Sequence, residues 1–372
     1  MRYTQNLFED ALAVWNAHKV ADTDQLLVLI AENNAPDLES FRAFCNEHNI
    51  NAFGGIFTGV IHNEAYLREG ALLSVVAAPV GVHVVHKEGE HPVFSPELSA
   101  LQLPADQDWS VITMLDGLME NISNMLAGIH NLFGETANFF GGGAGSLSLV
   151  QQLCLFTNKG VYQDAALLCP IPLKSNIGVR HGWSQIYGPV VATRTEGNVV
   201  HELNWEPAFE VYSKIVSDDA GVTLSKDDFF AVAKAYPFGI YREREEFIVR
   251  DPLSVREDGA IVCVGEVPEN TVLNILKGNK ETLLKAAKEA GNDAVSQQDS
   301  LVELFVVDCI SRTLFLEDDF SKEIAMVKEA VSSKSPSGIL SLGEIATEKG
   351  SGLLSFFNKT IVVSALYHES AS

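Results

Sequence analysis

The chain has 372 residues, with 26 lysines and arginines against 49 aspartates and glutamates, so its formal net charge is −23. A surface this acidic repels phosphate backbones and anionic lipid headgroups, which makes nucleic acid and membranes poor partners. Polar residues interrupt every stretch of about 18 residues, so no membrane span is expected. The N-terminus carries acids and predicts an amphipathic helix rather than a secretory leader. We therefore expect a cytoplasmic protein, long enough for two domains.

The first half of the chain predicts two successive units of strand, helix and further strands. Residues 25–31 (QLLVLIA) form an apolar run typical of a buried strand. Pro36 then opens an amphipathic helix, at a position where its missing N–H does little harm. A strand, a glycine-rich segment and another strand over 70–79 follow. The second unit passes from DWSVITML through a helical stretch over 117–133 to the glycine-rich segment FFGGGAGS.

The same order recurs near the C-terminus, where LVELFVVDC leads to a helix over 318–332, then to GILSLGEI and FFNKTIVVSALY. Between these units the sequence predicts a hairpin around residues 196–198 and a helix capped by Asn204. The duplicated βαββ units predict an α/β or α+β fold with mixed sheets and helices packed on the outside. We divide the chain into two domains, residues 1–205 and 206–372.

The densest glycine run, TANFFGGGAGS at residues 136–146, predicts a turn, and so many glycines in one turn must have a backbone reason. A phosphate-binding loop would lead into a helix and carry Gly-Lys-Ser/Thr, whereas β-forming residues follow here. Two interpretations stay open. The glycines allow a close crossing of strands, or they form the wall of a pocket whose N–H groups bind a small anion such as a carboxylate. In the second case the binding residues are Gly142, Gly143 and Gly145.

Other candidate residues combine cations, aromatic rings and polar groups at predicted strand ends and loops. Arg312 could grip a carboxylate through two parallel hydrogen bonds, although a structural salt bridge explains it equally well. The loop over 176–189 places a cation and aromatic rings between glycines, which suits a small-molecule pocket or simply an anchored surface loop. A third glycine turn, SLGEI, and the strand after it could orient a ligand amine or cap a turn. These further candidate ligand-binding residues are Arg180, His181, Trp183, Arg312, Glu344 and Asn358.

Patterns for catalysis and metal binding are weak. Cys309 could act as a nucleophile with His181 as a distant base, but a buried cysteine is far more often a small apolar side chain. His83, His86 and His91 are close in sequence, yet His83 and His86 would point to opposite faces of a strand. We therefore predict no catalytic residue, no metal and no cofactor.

Several of these segments together resemble the FIST-domain family, whose members carry an N-terminal and a C-terminal half. The similar segments are FGGIFTGVI, FFGGGAGS, LFTNKGVYQDAAL, the long stretch from VRHGWSQIYGP to ELNWEPAFEVY, VVDCISR, LSLGEI and FFNKT. They run through residues 25–367 in the family's order. The resemblance implies a sensory module in signal transduction that binds a small molecule, with amino acids or related carboxylate metabolites as proposed ligands.

Three hypotheses of function follow. The first is a small-molecule sensor that reports to a downstream signalling protein. The second is an enzyme of unknown reaction that uses Cys309 or His181. The third is an interaction module whose acidic surface docks a basic partner in a salt-sensitive way.

Overall fold

The computed structural model describes residues 1–241, 246–295, 300–332 and 334–368. In chain order the first part contains β1 (Arg2–Thr4), α1 (Leu7–His18), β2 (Gln25–Ala31), α2 (Leu38–Glu47), β3 (Ala52–Phe57), β4 (Gly59–His62), β5 (Ala65–Leu67), β6 (Ala71–Val76), β7 (His83–Glu88), β8 (His91–Val93), α3 (Pro96–Ser99), β9 (Ser110–Asp116), α4 (Ile122–Phe133) and β10 (Asn138–Ala144). The middle part contains β11 (Leu155–Thr157), β12 (Gly160–Tyr162), β13 (Ala165–Ile171), β14 (Lys174–Arg180), β15 (Ser184–Glu196), β16 (Val199–Leu203) and β17 (Glu206–Pro207).

The last part contains α5 (Ala208–Ala220), α6 (Phe229–Ala233), β18 (Phe238–Ile240), β19 (Ile248–Val255), β20 (Ile261–Val264), β21 (Thr271–Lys277), α7 (Lys280–Ala294), β22 (Ser300–Cys309), α8 (Ile310–Leu316), a 3-10 turn (Glu317–Asp319), α9 (Phe320–Val331), β23 (Ser337–Ser341), β24 (Glu344–Thr347), β25 (Leu354–Phe357) and β26 (Ile361–His368). The α/β character expected from the sequence is confirmed: the strands form mixed sheets and most helices lie outside them.

Four sheets organise the described residues. Sheet 1 has the order β1-β6-β2-β3-β11-β12, and sheet 2 the order β25-β24-β10-β9-β13-β7-β8. Sheet 3 has the order β14-β26-β22-β23-β4-β5, and sheet 4 the order β15-β21-β18-β19-β20-β16-β17. Sheets 1, 2 and 3 make one large body, and sheet 4 with α5 and α6 makes a second, smaller domain.

The three predicted βαββ units exist, and each has the same pairing. In sheet 1, β2 and β3 are parallel across α2, and β6 returns antiparallel to β2. In sheet 2, β9 and β10 are parallel across α4, and β13 returns antiparallel to β9. In sheet 3, β22 and β23 are parallel across α8 and α9, and β26 returns antiparallel to β22. The repeated pattern in the sequence is therefore a repeated supersecondary structure.

Each unit also sends a hairpin into the sheet of another unit. After β3 the chain enters sheet 3, where β4 pairs with β23. After β10 it enters sheet 1, where β11 pairs with β3. After β23 it enters sheet 2, where β24 pairs with β10. These three exchanges close a ring, so no unit can complete its sheet without a neighbour.

The exchange places the largest apolar core between the three sheets. Phe53, Phe140 and Phe305 come from different sheets and belong to one buried cluster. The outer faces are covered by α1 and α2 on sheet 1, α4 on sheet 2, and α7 and α9 on sheet 3. Strands buried on both faces explain why the runs in the sequence are continuously apolar rather than alternating.

Sheet 4 follows a different rule, since its strands pair antiparallel throughout and α5 packs against them. It covers residues 184–277, between β14 and α7 of the body. The division that we expected at 205/206 falls between β16 and β17 of this sheet, and sheets 2 and 3 take strands from both sides of it. The division therefore stays a prediction about two modules of the sequence.

Three local predictions need correction. The glycine run is a strand, β10, in the interior of sheet 2, and not a turn. The helix of the second unit, α4, was expected to begin at residue 117 but begins at Ile122, because the left-handed backbone of Asn121 interrupts a helix at that point. Asn204 does not cap α5: it occupies a turn, and its Oδ1 accepts a hydrogen bond from the Val191 N–H at 2.9 Å.

Candidate functional site

The three small-residue segments meet where the chain leaves one sheet for the next. The Gly145 N–H, at the end of β10, donates to the Ile56 carbonyl at 2.8 Å. The Gly143 N–H donates to the Gly343 carbonyl, also at 2.8 Å. The segments that looked alike in the sequence are thus one junction at the centre of the body, with backbones in direct contact.

Glycine is required at this junction because the backbones approach too closely for side chains. A Cβ on Gly141 would lie 1.7 Å from the Thr113 carbonyl oxygen, and a Cβ on Gly142 would lie 2.8 Å from the Ser341 Cβ. Gly142 is also the register partner of Glu344 across β10 and β24. The structure thus supports the close-crossing interpretation of Gly142 and Gly143, which are buried. Gly145 is buried as well, and the next residue, Ser146, lines an open cleft.

Arg312 lies at the carboxyl end of β22, in the first turn of α8, and is fully buried. Its Nη2 pairs with Glu323 Oε1, and its Nε lies 3.3 Å from Asp308 Oδ1. Its Nη1 donates to the Lys359 carbonyl at 3.1 Å and to the His181 carbonyl. The guanidinium therefore holds carboxylates and carbonyls of the chain itself.

The carboxyl groups in this region are biased toward their neutral forms. Burial raises the pKa of Asp308 well above its usual range, and the negative charge of Glu323 adds to that shift. Burial also raises the pKa of Glu323, against the opposing effect of Arg312. For Glu344, burial raises the pKa to about 8, although the hydrogen bond from the Ser341 hydroxyl works in the other direction. Neutral carboxyls reduce the cost of burying so many ionisable groups.

Lys359 is the hub of the same region, and the sequence analysis did not single it out. It is fully buried with a φ of +53°, and its Nζ lies 3.1 Å from Asp251 Oδ1. The ammonium also donates to the Lys234 carbonyl at 2.8 Å and lies 4.9 Å from the Trp183 ring centre. Since Lys234 and Asp251 belong to the sheet 4 domain, this lysine joins the domain to the body. The motif FFNKT, which contains Lys359, was the sequence signal that could have pointed to this residue.

The remaining predicted residues separate into two groups. His181 is buried, and burial with the nearby Arg312 lowers its pKa to about 3, so its ring is neutral. Asn358 is buried as well, and its Oδ1 accepts a hydrogen bond from Arg250 at 3.2 Å. Arg180 lies apart: it is 32% exposed and pairs with Asp293 at 2.5 Å. Thus Arg312, His181, Trp183, Glu344 and Asn358 share one buried region, and Arg180 does not enter it.

Two chemical possibilities from the sequence meet specific obstacles. Burial raises the pKa of the Cys309 thiol well above its usual range, and the nearby Glu344 contributes to that shift. The thiol form, which is a poor nucleophile, is therefore favoured. His83 and His86 lie on β7 and His91 on β8. Within the described ranges, no group of three or more histidine, cysteine or carboxylate side chains is arranged to hold a metal ion.

An open cleft, which we call cleft A, lies at the carboxyl ends of the parallel strands β2 and β3. Its volume is about 380 Å³, and its lining includes Glu32, Asn33, Ile56, Ser146 and Leu153. The first turn of α2 borders it, and residues of the loop after β10 line it. Crevices at the carboxyl ends of parallel strands are the usual ligand sites of α/β sheets. Trp183 and Arg312 are not among the residues that line this cleft.

Two side-chain hydrogen bonds hold the loop that lines cleft A. The Glu32 Oε2 accepts a hydrogen bond from the Leu147 N–H at 2.9 Å. The Gln151 side chain donates to Asp116 Oδ2 at 2.7 Å, at the carboxyl end of the parallel pair in sheet 2. The loop thus bridges the strand ends of two units, and a ligand that displaced it would break contacts with both sheet 1 and sheet 2.

Three βαββ units that exchange hairpins, together with a second antiparallel domain, define a two-domain α/β protein. Comparison with protein families matches residues 25–206 to the FIST N domain and residues 208–347 to the FIST C domain. The chain belongs to the FIST family, whose domains are sensory domains of signal transduction. A comparison with curated proteins finds no match. Over the described residues, helices with the length and apolar character of a membrane span are absent.

Proposed function

We propose that this chain is a cytoplasmic sensor that binds an amino acid in cleft A and passes the signal to a partner protein. The observation that carries the proposal is the position of the cleft, at the carboxyl ends of β2 and β3 and beside the loop whose Leu147 N–H is bound by Glu32. Family membership supplies the sensory role, and the chemistry of the lining favours the ligand class.

The lining offers groups for both ends of an amino acid. Glu32 is partly buried and lines the cleft, so it can accept an ammonium group while it still holds the loop, since a carboxylate accepts several hydrogen bonds. The α2 N-terminus borders the same space, and its dipole favours a ligand carboxylate against the opposing charges of Asp37 and Glu39, which also line the cleft. Asp37 already caps this helix by accepting the Ser40 N–H at 2.8 Å. Ile56 and Leu153 provide apolar contact for a side chain.

The buried region around Arg312 is the alternative location for the same function; of the site residues proposed from the sequence, it contains His181, Trp183, Arg312, Glu344 and Asn358. In its favour, Asn358 Nδ2 and His181 Nε2 are buried atoms without a hydrogen-bond partner among the described residues. A ligand could reach them only if the sheet 4 domain moved away from Lys359, because that domain covers them.

A thermal-shift screen with the twenty amino acids, followed by calorimetric titration, tests the proposal. A ligand at a hundredfold excess over its Kd raises the free energy of unfolding by about 2.7 kcal/mol. Glu32→Gln removes the charge that would hold the ammonium, and we expect Kd to rise about 10- to 100-fold. The matched control is Glu47→Gln, at the exposed far end of α2, with Kd unchanged.

Two results would contradict the proposal in different ways. If no amino acid shifts the melting temperature, the ligand class is wrong. If an amino acid binds equally well to the wild type and to Glu32→Gln, the ligand lies outside cleft A, and the region around Arg312 becomes the better location.

A further inference from the structure

A larger cleft, which we call cleft B, lies in the sheet 4 domain between β15 and α5. Its volume is about 580 Å³. Ile186 and Tyr187 of β15 form one wall, and Val211 and Ile215 of α5 contribute apolar surface from the other side. Tyr187 is 49% exposed, so its ring is available to a molecule that enters the cleft. No residue of cleft B lines cleft A.

The charges around cleft B are mostly negative. Four carboxylates line it, against a single lysine, Lys214, among the lining residues; they are Glu206, Glu210, Asp218 and Asp219. Asp219 is already paired with Lys277 at 2.6 Å. The other three carboxylates are exposed, and they give the cleft a potential that attracts cations. Apolar walls with negative edges suit an occupant that is both cationic and partly apolar.

Trp205 follows the lining residue Asn204 and precedes the lining residue Glu206 in the sequence; it does not itself line the cleft and is 79% exposed. Asn204 and Trp205 form the two-residue turn between β16 and β17, with φ values of +51° and +63°. The second position of such a turn is normally glycine. A tryptophan there is strained and projects from the fold, whereas Trp15, Trp109 and Trp183 are buried. Its large ring therefore contributes little to the core.

We propose that cleft B is the docking site for an arginine-bearing segment of a partner protein, with Trp205 as its principal contact. A guanidinium stacks well on the face of a tryptophan and can at the same time pair with a carboxylate such as Glu206 or Glu210. Charge complementarity selects this occupant over a second copy of the chain, because each copy carries a net charge of −23. The segment's aliphatic carbons fit the apolar walls.

This proposal supplies the output surface of the sensor, so it rests on the proposed function for its biological role. Its physical content is separate, because it concerns another cleft and another ligand. Binding of amino acids to the wild type is measured without the peptide, and binding of the peptide is measured without amino acids. Either test can therefore fail while the other succeeds.

The probe is a fluorescein-labelled tetra-arginine peptide, with tetra-citrulline as its neutral counterpart, measured by fluorescence anisotropy with the full chain. We expect tetra-arginine to bind, tetra-citrulline to bind at least about tenfold more weakly, and added NaCl to weaken the complex. Trp205→Gly should raise Kd at least about tenfold, and Glu210→Gln about threefold or more. Glycine suits the turn, so Trp205→Gly should keep the melting temperature of the wild type.

The matched control is Asp22→Asn, which removes one negative charge at a fully exposed site near the N-terminus. Its Kd should stay within about twofold of the wild type. If Asp22→Asn and Glu210→Gln weaken binding equally and Trp205→Gly has no effect, the peptide senses only net charge and the proposal is overturned. The proposal also fails if the chain dimerises in solution and Trp205→Gly abolishes the dimer, because cleft B would then be occupied by a second copy.

Discussion

Arg312→Leu tests whether the ion pairs and hydrogen bonds of the buried Arg312 stabilise the large body. Arg312 pairs with Glu323, lies 3.3 Å from Asp308, and donates to the carbonyls of Lys359 and His181. Leucine keeps apolar volume at the site and removes every one of these bonds. Since Arg312 also donates to the Leu283 carbonyl at 3.3 Å, the variant leaves two carboxyl groups and three carbonyls inside the protein without their cation.

The expected loss is large because the whole network is buried. Removal of one member of a buried ion pair costs about 3–5 kcal/mol of the free energy of unfolding. For a cooperative unit of about 150–250 residues, each 1 kcal/mol corresponds to about 2–4 °C. We therefore expect the melting temperature to fall by about 6–20 °C. The fall should be greater at pH 8 than at pH 5, because without the cation Glu323 and Asp308 must stay protonated in the folded state, and keeping those protons costs more free energy at the higher pH.

The assay is thermal unfolding followed by circular dichroism, at both pH values, for Arg312→Leu and for Arg180→Leu as the matched control. Arg180 is 32% exposed and pairs with Asp293 at the surface, so its replacement should cost about 1 kcal/mol or less. The reasoning is refuted if Arg312→Leu melts within about 2 °C of the wild type at pH 8. If Arg312→Leu kept the wild-type melting temperature but no longer bound the ligand, Arg312 would be identified as a ligand-binding group.

Three further predictions follow. Burial raises the pKa of Glu344 from 4.5 to about 8, so the folded state binds its proton more tightly and this group's contribution to stability falls as pH rises from about 4.5 to 8. Glu344→Gln should flatten the pH dependence of the free energy of unfolding over that range, by an amount on the order of a few kcal/mol. Gly141→Ala places a Cβ 1.7 Å from the Thr113 carbonyl oxygen and should cost about 3 kcal/mol in urea unfolding. Lys359→Met leaves Asp251 buried without its cation and should cost about 3–5 kcal/mol in the same assay.

Each of these predictions has a control of the same chemistry. Glu47→Gln, at an exposed site, should leave the pH profile unchanged. Gly221→Ala, where the backbone is left-handed (φ +69°, ψ +20°) and the surrounding space is open, should cost about 1 kcal/mol. Lys285→Met, whose side chain is 77% exposed, should cost under about 1 kcal/mol. A buried variant that behaved like its control would contradict the structural role assigned to that residue.

Much of the fold could be predicted because its signals are local. The strand at 25–31 was predicted with the bounds that it has in the structure, because an unbroken apolar run needs two covered faces. The hairpin around residues 196–198 was marked by its glycine turn and is confirmed. The helix expected over 318–332 is present as α9 (Phe320–Val331), since the apolar spacing persists to its end. The start of α4 was predicted wrongly, because the sequence did not reveal the left-handed backbone of Asn121.

The candidate site could be predicted only in part. The sequence pointed to Arg312 at the end of a predicted strand, to Trp183 in a loop bounded by glycines, and to Asn358 in the strand after a glycine turn. It could not show that Arg312 would be saturated by Glu323, which follows it by eleven residues across a turn. Lys359 was missed because a lysine between two polar residues looks exposed. Cleft A was missed because its walls come from segments more than 100 residues apart.

The sequence by itself determined the α/β class, the three repeated units, the acidic surface and the membership in a sensory family. These properties depend on local periodicity, composition and motif order, which survive without any knowledge of distant contacts. Only the tertiary structure decided that the units exchange hairpins, that the glycines serve a backbone junction, and that sheet 4 places Asp251 against Lys359. The physical reason is that burial and charge pairing depend on which distant segments meet, and these contacts give each polar residue its role.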